Sequence, residues 1–525
     1  MENVKEEEPR SARRVLWYLV FFGFAVNYMI RINLNIALVS MVKQHPRSTH
    51  KTSECIQKTE TISRLIDNVN RSNSLDELFS NASIEKDVKP KIEFDSVQPD
   101  MFVWDEYIQG LILGAYFWLH WTTQIPGGLL AQKYGTKLVF GLSNFIGVLI
   151  CFMIPFFSNL GYQYLITLRI IQGFITGCAW PAMHHMTAKW IPPNERSKFV
   201  TAYLGSSIGT ALTYPLCGWI IDHWGWEMVF YGNGVLGSLW YILWYLYVYD
   251  SPSEHPTISK REKEYILSSL GDSVAKEKPP IPWKHILTSM PIWMNILCQF
   301  GGIWGLFTLM THAPMYFKII HGWDIKSTGI LSGIPHILRV LYAFAFSELG
   351  DFLLRTNKLS RTNVRKLAAT QCCILQGLLM LGLAYSGCNY TAAILFLSAS
   401  TAANGAVSTG PLASLVDISP NYASISLGMC NTVVAIVGFL TPATVSYFTF
   451  GNQTVGQWQK VFWIGTAMML SSGFLYLIFS KSEIQPWNNP IINEKDEAEH
   501  KMLEKVFVDG QEEKKRLNET ESEKK

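Results

Sequence analysis

Long apolar stretches alternating with short polar ones set the plan of this chain. An apolar run of roughly 18 residues or more is long enough to cross a bilayer as a helix. The first such run extends from Val15 to Met41. It is too long for a signal-peptide core and lacks a small-residue cleavage site, so it reads as a retained anchor. Further spans begin near Tyr107, Leu138, Tyr162, Phe199 and Met228. A polar segment from Asp250 to Ser289 follows, and six more spans begin near Pro291, Thr328, Leu367, Ala392, Ser424 and Lys460. The pattern predicts an all-α membrane protein of twelve transmembrane helices in two six-helix bundles, 15–249 and 291–480. A tail at 1–14, a loop at 43–104, a bridge at 250–290 and a mixed-charge, disordered tail at 481–525 complete the expected organisation.

Composition narrows the class further. Of 525 residues, 49% are hydrophobic and 16% are charged. Soluble chains carry about 25% charged residues, so a string of soluble domains is excluded, as is a disordered chain. A net charge of +3, dispersed along the sequence, is too small for a nucleic-acid binder. Lys and Arg gather in the tail before span 1, in the loops after spans 2, 4 and 8, and in the bridge. The basic-loop rule therefore places both termini and the bridge in the cytoplasm and the 43–104 loop outside. That outer loop carries acceptor sequons at Asn70 and Asn81. Seven of the nine Cys fall in apolar stretches, where Cys acts as a small hydrophobe, so no metal site is expected. Cys55 and Cys388 lie outside such stretches, and the sequence leaves open whether they pair.

The chemistry lies in what is charged inside the bilayer. An ionised side chain at mid-membrane costs about 2.5–3.5 kcal/mol even on the lenient insertion scale, so such residues face an interior. Arg31 in span 1, Arg169 in span 4 and Arg339 in span 8 fall at similar expected depth, and Glu227, Glu348 and Asp417 fall at span ends. A core that is net positive suits an anion that enters and leaves, and guanidinium offers a fork matched to carboxylate or phosphate. The competing expectation is that each Arg bonds backbone carbonyls, and Arg339 is the one best suited to joining helices. His184 and His185 follow Trp180-Pro181, a helix break that frees carbonyls, and are candidates for gating or proton handling. Gly205-Ser206-Ser207-Ile208-Gly209 matches a hydrolase nucleophile pattern but lies in an apolar helix, where close packing is the better reading. With no phosphate-binding Gly-rich loop and no zinc-protease motif, an enzyme is not expected.

Several motifs carry a family resemblance. Arg31-Ile-Asn-Leu-Asn-Ile-Ala-Leu-Val, Thr123-Gln-Ile-Pro-Gly-Gly, Arg169-Ile-Ile-Gln-Gly, Trp180-Pro-Ala-Met-His and Val416-Asp-Ile-Ser-Pro-Asn-Tyr-Ala are distributed over both halves. They resemble the anion:cation symporter family of the major facilitator superfamily, which includes type I sodium–phosphate cotransporters, sialin and the vesicular glutamate transporters. His321-Gly-Trp and Val407-Ser-Thr-Gly-Pro-Leu-Ala resemble insect members provisionally named inorganic phosphate cotransporters. The resemblance implies substrate contact by Arg31 and Arg169 and a functional place for His184. Sialin-like members carry acidic residues in span 4 where this chain has Gln172 and Thr176, and vesicular glutamate transporters carry an Arg in span 7 where it has Gly302. Sodium-coupled symport of inorganic phosphate, or of an organic anion, by alternating access then remains by elimination, with Asn404, Ser408 and Thr409 as polar candidates for sodium. A proton-coupled exporter of acidic sugars or amino acids from vesicles or lysosomes is the rival, and a transport-inactive membrane receptor or scaffold a second. The expected state is a monomer with no cofactor beyond a coupling Na+ or H+. The short acidic N-terminal tail has no dileucine signal, which leans toward the plasma membrane.

Overall fold

The computed structural model describes residues 11–43, 54–55, 101–191, 199, 201–270 and 282–488. The sequons at Asn70 and Asn81 lie outside the described residues. Span 1 is one helix, Ala12–Met41, and span 2 is Glu106–Trp118 continued through a 3-10 turn, His120–Thr123, into Gln124–Tyr134. Span 3 is Thr136–Leu160, and span 4 breaks into Tyr162–Thr176 and Ala179–Trp190. Spans 5 and 6 are Gly205–Trp224 and Glu227–Tyr247. The bridge holds two helices, Lys260–Leu270 and Trp283–Thr288. In the second bundle span 7 is Met290–His321 and span 8 is Ile325–Arg355. Span 9 runs from Arg361–Ala369 through a π turn, Thr370–Leu375, to Gln376–Tyr385. Span 10 is Tyr390–Ala403, a 3-10 turn at Asn404–Ser408 and Pro411–Ile418. Spans 11 and 12 are Ala423–Ala435 with Val437–Thr449, and Val455–Phe479.

Among the described residues nine helices are individually long and apolar enough to cross a membrane. Spans 2, 5 and 6 complete the twelve, and each falls short on length or apolarity for a local reason. Span 2 is interrupted at His120–Thr123, span 5 is rich in Gly, Ser and Thr, and span 6 is rich in Tyr and Trp. The small residues of span 5 are used for packing, because a methyl group at Gly205 would lie 2.0 Å from the Phe21 carbonyl oxygen. The nucleophile-like stretch Gly205–Gly209 is thus a helical face laid on span 1.

Connections between spans are short and capped. Asp105 and Asp324 accept from the Ile108 and Ser327 amides at the starts of spans 2 and 8. Gly135 turns the chain between spans 2 and 3 at φ +87°, and a side chain there would collide with the Asp250 carboxylate, which accepts from the Lys137 amide. At the bridge end, Glu262 caps span 1 from outside that helix. Its carboxylate accepts from the Ala12 and Arg13 amides, the Ser11 hydroxyl and the Arg13 guanidinium, the last at 3.0 Å. Partial burial pushes the Glu262 carboxyl up, but these hydrogen bonds outweigh it and hold its pKa below the ordinary value.

At the far end the loop after span 1 leaves and returns side by side, through Lys43–Phe102 and Phe102–Met41 backbone hydrogen bonds. Cys55, on that loop of the first bundle, is disulfide-bonded to Cys388 between spans 9 and 10 of the second. The neighbouring Glu54 carboxylate accepts from the Val455 amide at the start of span 12. The pairing left open by the sequence is therefore made, and it joins the two bundles across this face.

One apolar core fills the first bundle, around Phe24, Phe140, Trp190 and Trp244, and others fill the second. A further cluster belongs to both, with Ile32, Tyr116, Phe117 and Tyr214 from the first bundle meeting Trp304, Phe307 and Met310 of span 7. Toward the far face the bundles approach closely. A methyl group at Gly333 of span 8 would lie 2.5 Å from the Ala211 carbonyl oxygen of span 5, and one at Gly110 of span 2 would overlap Ser446 of span 11.

Candidate functional site

Arg31 lies in the middle of span 1 on the face that meets the second bundle. Its residue is 7% exposed, and its guanidinium makes no hydrogen bond or ion pair with any described residue, Nε included. Four aromatic rings surround it instead. The guanidinium carbon lies 4.4 Å from the Phe117 ring centre, 5.0 Å from Tyr28, 5.1 Å from Phe307 and 5.5 Å from Tyr116. Tyr28 stands one turn before Arg31 on the same helix, Tyr116 and Phe117 come from span 2, and Phe307 comes from span 7. Ring quadrupoles stabilise a desolvated cation by about 2 kcal/mol, less than the cost of an unpaired buried charge. The box holds the guanidinium in place without neutralising it.

The two other arginines are engaged with protein. Arg169, 1% exposed, donates to the Arg31 carbonyl at 3.0 Å, to Gln172 Oε1 at 2.6 Å and to the Ile30 carbonyl at 3.4 Å. Its guanidinium carbon lies 4.9 Å from the Tyr116 ring centre, within the same cluster. The expectation of a fork free for substrate thus gives way to one clamped on span 1, because helix carbonyls lie within its reach. Arg339 is half-buried and joins the bundles. Its guanidinium donates to Ser207 Oγ of span 5 at 2.6 Å and to Asn404 Oδ1 of span 10 at 3.0 Å.

The groups around Arg169 are neutral. The Gln172 amide nitrogen donates to the Gly147 carbonyl at 2.9 Å, and Thr176 shares a 2.6 Å hydrogen bond with the Tyr116 hydroxyl. His120, in the broken segment of span 2, bonds the Gly173 carbonyl at 3.0 Å and Gln124 at 3.2 Å, and packs on Tyr116 and Phe117. No carboxylate is bonded to Arg31, Arg169 or Arg339 among the described residues.

His184 and His185 are not part of this cluster. They sit roughly four helical turns beyond Arg169 toward the bridge. The His184 ring packs edge-on against Tyr203 at 5.2 Å, beside Trp180 and Phe24. The three sodium candidates do not share a centre either. The Asn404 oxygen accepts from cationic Arg339, while its amide nitrogen donates to Gly302 and Gln376, both at 3.0 Å. Ser408 bonds its own helix at the Gly405 carbonyl. Thr409 pairs its hydroxyl with Ser347 at 2.9 Å and gives its carbonyl to Arg365 at 2.8 Å. Oxygens already facing guanidinium groups are poor ligands for a second cation. The sequence reading missed the aromatic box, whose one local signal was Tyr28 three residues before Arg31.

Residues 20–442 match the model of the Major Facilitator Superfamily. The chain belongs to that superfamily. Its relatives place it in the anion:cation symporter group. It is 34% identical to sialin of Homo sapiens over 478 residues, 91% of each chain. It is 32% identical to vesicular glutamate transporter 1 of Bos taurus, covering 91% of this chain and 78% of that one. A Drosophila melanogaster protein provisionally named inorganic phosphate cotransporter is 31% identical over 506 residues, 95% of this chain and 90% of that one. Among solved structures, the D-xylose–proton symporter superimposes with TM-score 0.58 at 14% identity, covering 90% of this chain and 99% of that one. An inward-facing bacterial homologue of the lysosomal transporter Spinster gives 0.61 at 12%, covering 91% and 100%. The last two speak for the fold alone. The protein is a multi-pass membrane transporter of the secondary class and not an enzyme.

Proposed function

We propose that this transporter moves a small anion by alternating access, with Arg31 as the group that holds it, and that the cargo is inorganic phosphate taken up with sodium. The observation that carries the anion reading is the Arg31 guanidinium: buried, uncompensated by any acid, and walled by rings from both bundles. An anion docked there supplies the charge that the rings do not. Because Phe307 belongs to one bundle and Arg31 to the other, rocking the bundles remakes the box. The site's affinity then differs between conformations, as coupling requires. Arg169 fixes the span 1 backbone beneath Arg31, and Arg339 with Ser207 and Asn404 closes the neighbouring seam between bundles. Two relatives are named for glutamate and for phosphate, both anions, in keeping with this reading.

Sodium coupling rests on the neutral pair Gln172 and Thr176, which leaves span 4 without a proton-carrying carboxylate. The reading puts both termini and the bridge in the cytoplasm, the Cys55–Cys388 face outside, and a monomer in the plasma membrane. A second reading, proton-linked export of an organic anion from a vesicle or lysosome, draws support from the identity to vesicular glutamate transporters. Counterflow in proteoliposomes separates the two, using radiolabelled phosphate, glutamate, sialate and urate with and without sodium. Phosphate exchange that requires sodium is the expected result. Uptake of an organic acid driven by a pH gradient in sodium-free buffer would replace it with the second reading. No flux of any anion, together with retained binding to a partner protein, would favour a receptor or scaffold.

A further inference from the structure

Cys298, Cys372 and Cys373 converge in the second bundle, fully buried, with their sulfur atoms all within 4.8 Å of one another. Cys298 lies on span 7, and the other two lie on the π turn of span 9, Thr370–Leu375. The Cys298 and Cys373 sulfurs are 3.4 Å apart, and the Cys373 thiol also reaches the Cys298 carbonyl at 3.3 Å. Adjacent side chains on an α-helix diverge too widely to meet one target. A π turn winds less per residue, and such turns recur at functional sites. Here that turn lets consecutive cysteines address one thiol on a neighbouring helix. Nothing in the order of residues signals this grouping, because 298 and 372 are far apart and each lies in an apolar stretch.

We infer that these three thiols form a binding site for a soft monovalent cation, Cu(I). Soft sulfur ligands select Cu(I) or Zn(II) over hard cations. With metal–sulfur bonds of about 2.3 Å, a planar three-sulfur site needs sulfurs about 4 Å apart, a value that lies between the 3.4 Å contact and the 4.8 Å limit found here. Zn(II) requires a fourth ligand, and no His, Asp or Glu joins the three among the described residues. Charge argues the same way. Cu(I) entering with release of one proton gives one thiolate, two thiols and a neutral complex: Cu+ + 3 RSH → Cu(SR)(HSR)2 + H+. Zn(II) would have to expel two protons to reach neutrality in the same low-dielectric interior. The site also sits beneath the Arg339 seam. Cys298 is one turn before Gly302, whose carbonyl accepts from both Gln376 and Asn404, and Asn404 in turn holds Arg339. A metal clamped between spans 7 and 9 fixes the spacing on which that network depends.

The test uses the purified full-length protein under argon, titrated with Cu(I) buffered by bathocuproine disulfonate. One tightly held copper per chain is expected, with sulfur-only coordination by X-ray absorption. Cys298→Ser and Cys373→Ser should each weaken binding by roughly tenfold or more, and Cys430→Ser, elsewhere in the bundle, should not. The wild type supplies a second reading that does not depend on the folding of a core variant. Copper should slow alkylation of Cys298, Cys372 and Cys373 by a small permeant maleimide in the folded protein, and leave the rates at Cys151 and Cys430 unchanged. Loss of all copper to the chelator, equal binding by the Cys298 and Cys373 variants, or a Cys298–Cys373 disulfide in the protein isolated without oxidant would each overturn the inference.

Discussion

Arg31 and Arg169 share one aromatic neighbour, Tyr116, yet stand in opposite chemical situations. Arg169 has both terminal nitrogens bonded to fixed oxygens, two of them carbonyls of span 1. Arg31 has none and is held by rings alone. The difference teaches that a buried charge in a membrane bundle is not by itself a ligand. A guanidinium whose terminal nitrogens are bonded builds the scaffold even with its Nε unpartnered, and the one beside it with no bonded nitrogen is available to a mobile anion. Arg339 resembles Arg169, with the added consequence that its partners lie on opposite bundles.

The largest effect should come from breaking the unsatisfied member. Arg31→Ala should abolish anion flux in proteoliposomes while the thermal midpoint stays near that of the wild type, since no hydrogen bond is lost. Undiminished flux would erase the contrast. Arg169→Lys keeps the charge but not the fork, so several of its acceptors lose their donor. It should cost about 1–3 kcal/mol of stability and slow transport through misplacement of Arg31, with both readouts moving together. A variant with normal stability and no flux would instead put Arg169 among the anion's direct ligands.

Ser207→Ala sharpens the comparison with Arg339. It removes a charge-assisted hydrogen bond between bundles, worth about 1.5–3 kcal/mol. The maximal rate should change while the half-saturating anion concentration holds, and a shift confined to the latter would place Arg339 in the anion site. The smallest effect belongs to Arg13, an arginine on the same helix as Arg31 that does have a carboxylate. With the Glu262 pKa depressed, its latch contributes fully above the ordinary value of 4.5 and is lost as pH falls through the lower folded value. Glu262→Gln should therefore lower the thermal midpoint slightly at pH 7 and flatten the loss of stability on acidification below pH 4.5. Identical profiles for variant and wild type would show that the latch carries no stability.

Much of the architecture was legible in the chain. Twelve apolar stretches, the polar bridge and the absence of acids opposite Arg31, Arg169 and Arg339 follow from composition along a line. Depth along a helix also follows from residue count, because the rise per residue is fixed. These properties are local, and a one-dimensional reading captures them.

Bonding was decided elsewhere. Which arginine stays free depends on how each helix is rotated about its axis and on which carbonyls its neighbours present, and neither is encoded in spacing. Phe307 completes the box from more than 270 positions away, and the same packing scatters Asn404, Ser408 and Thr409 while drawing Cys298 to Cys372 and Cys373. The chain alone set the helices and the sign of the charge they bury. Only their packing chose the partners, because contacts between helices depend on angle and approach as well as on order in the sequence.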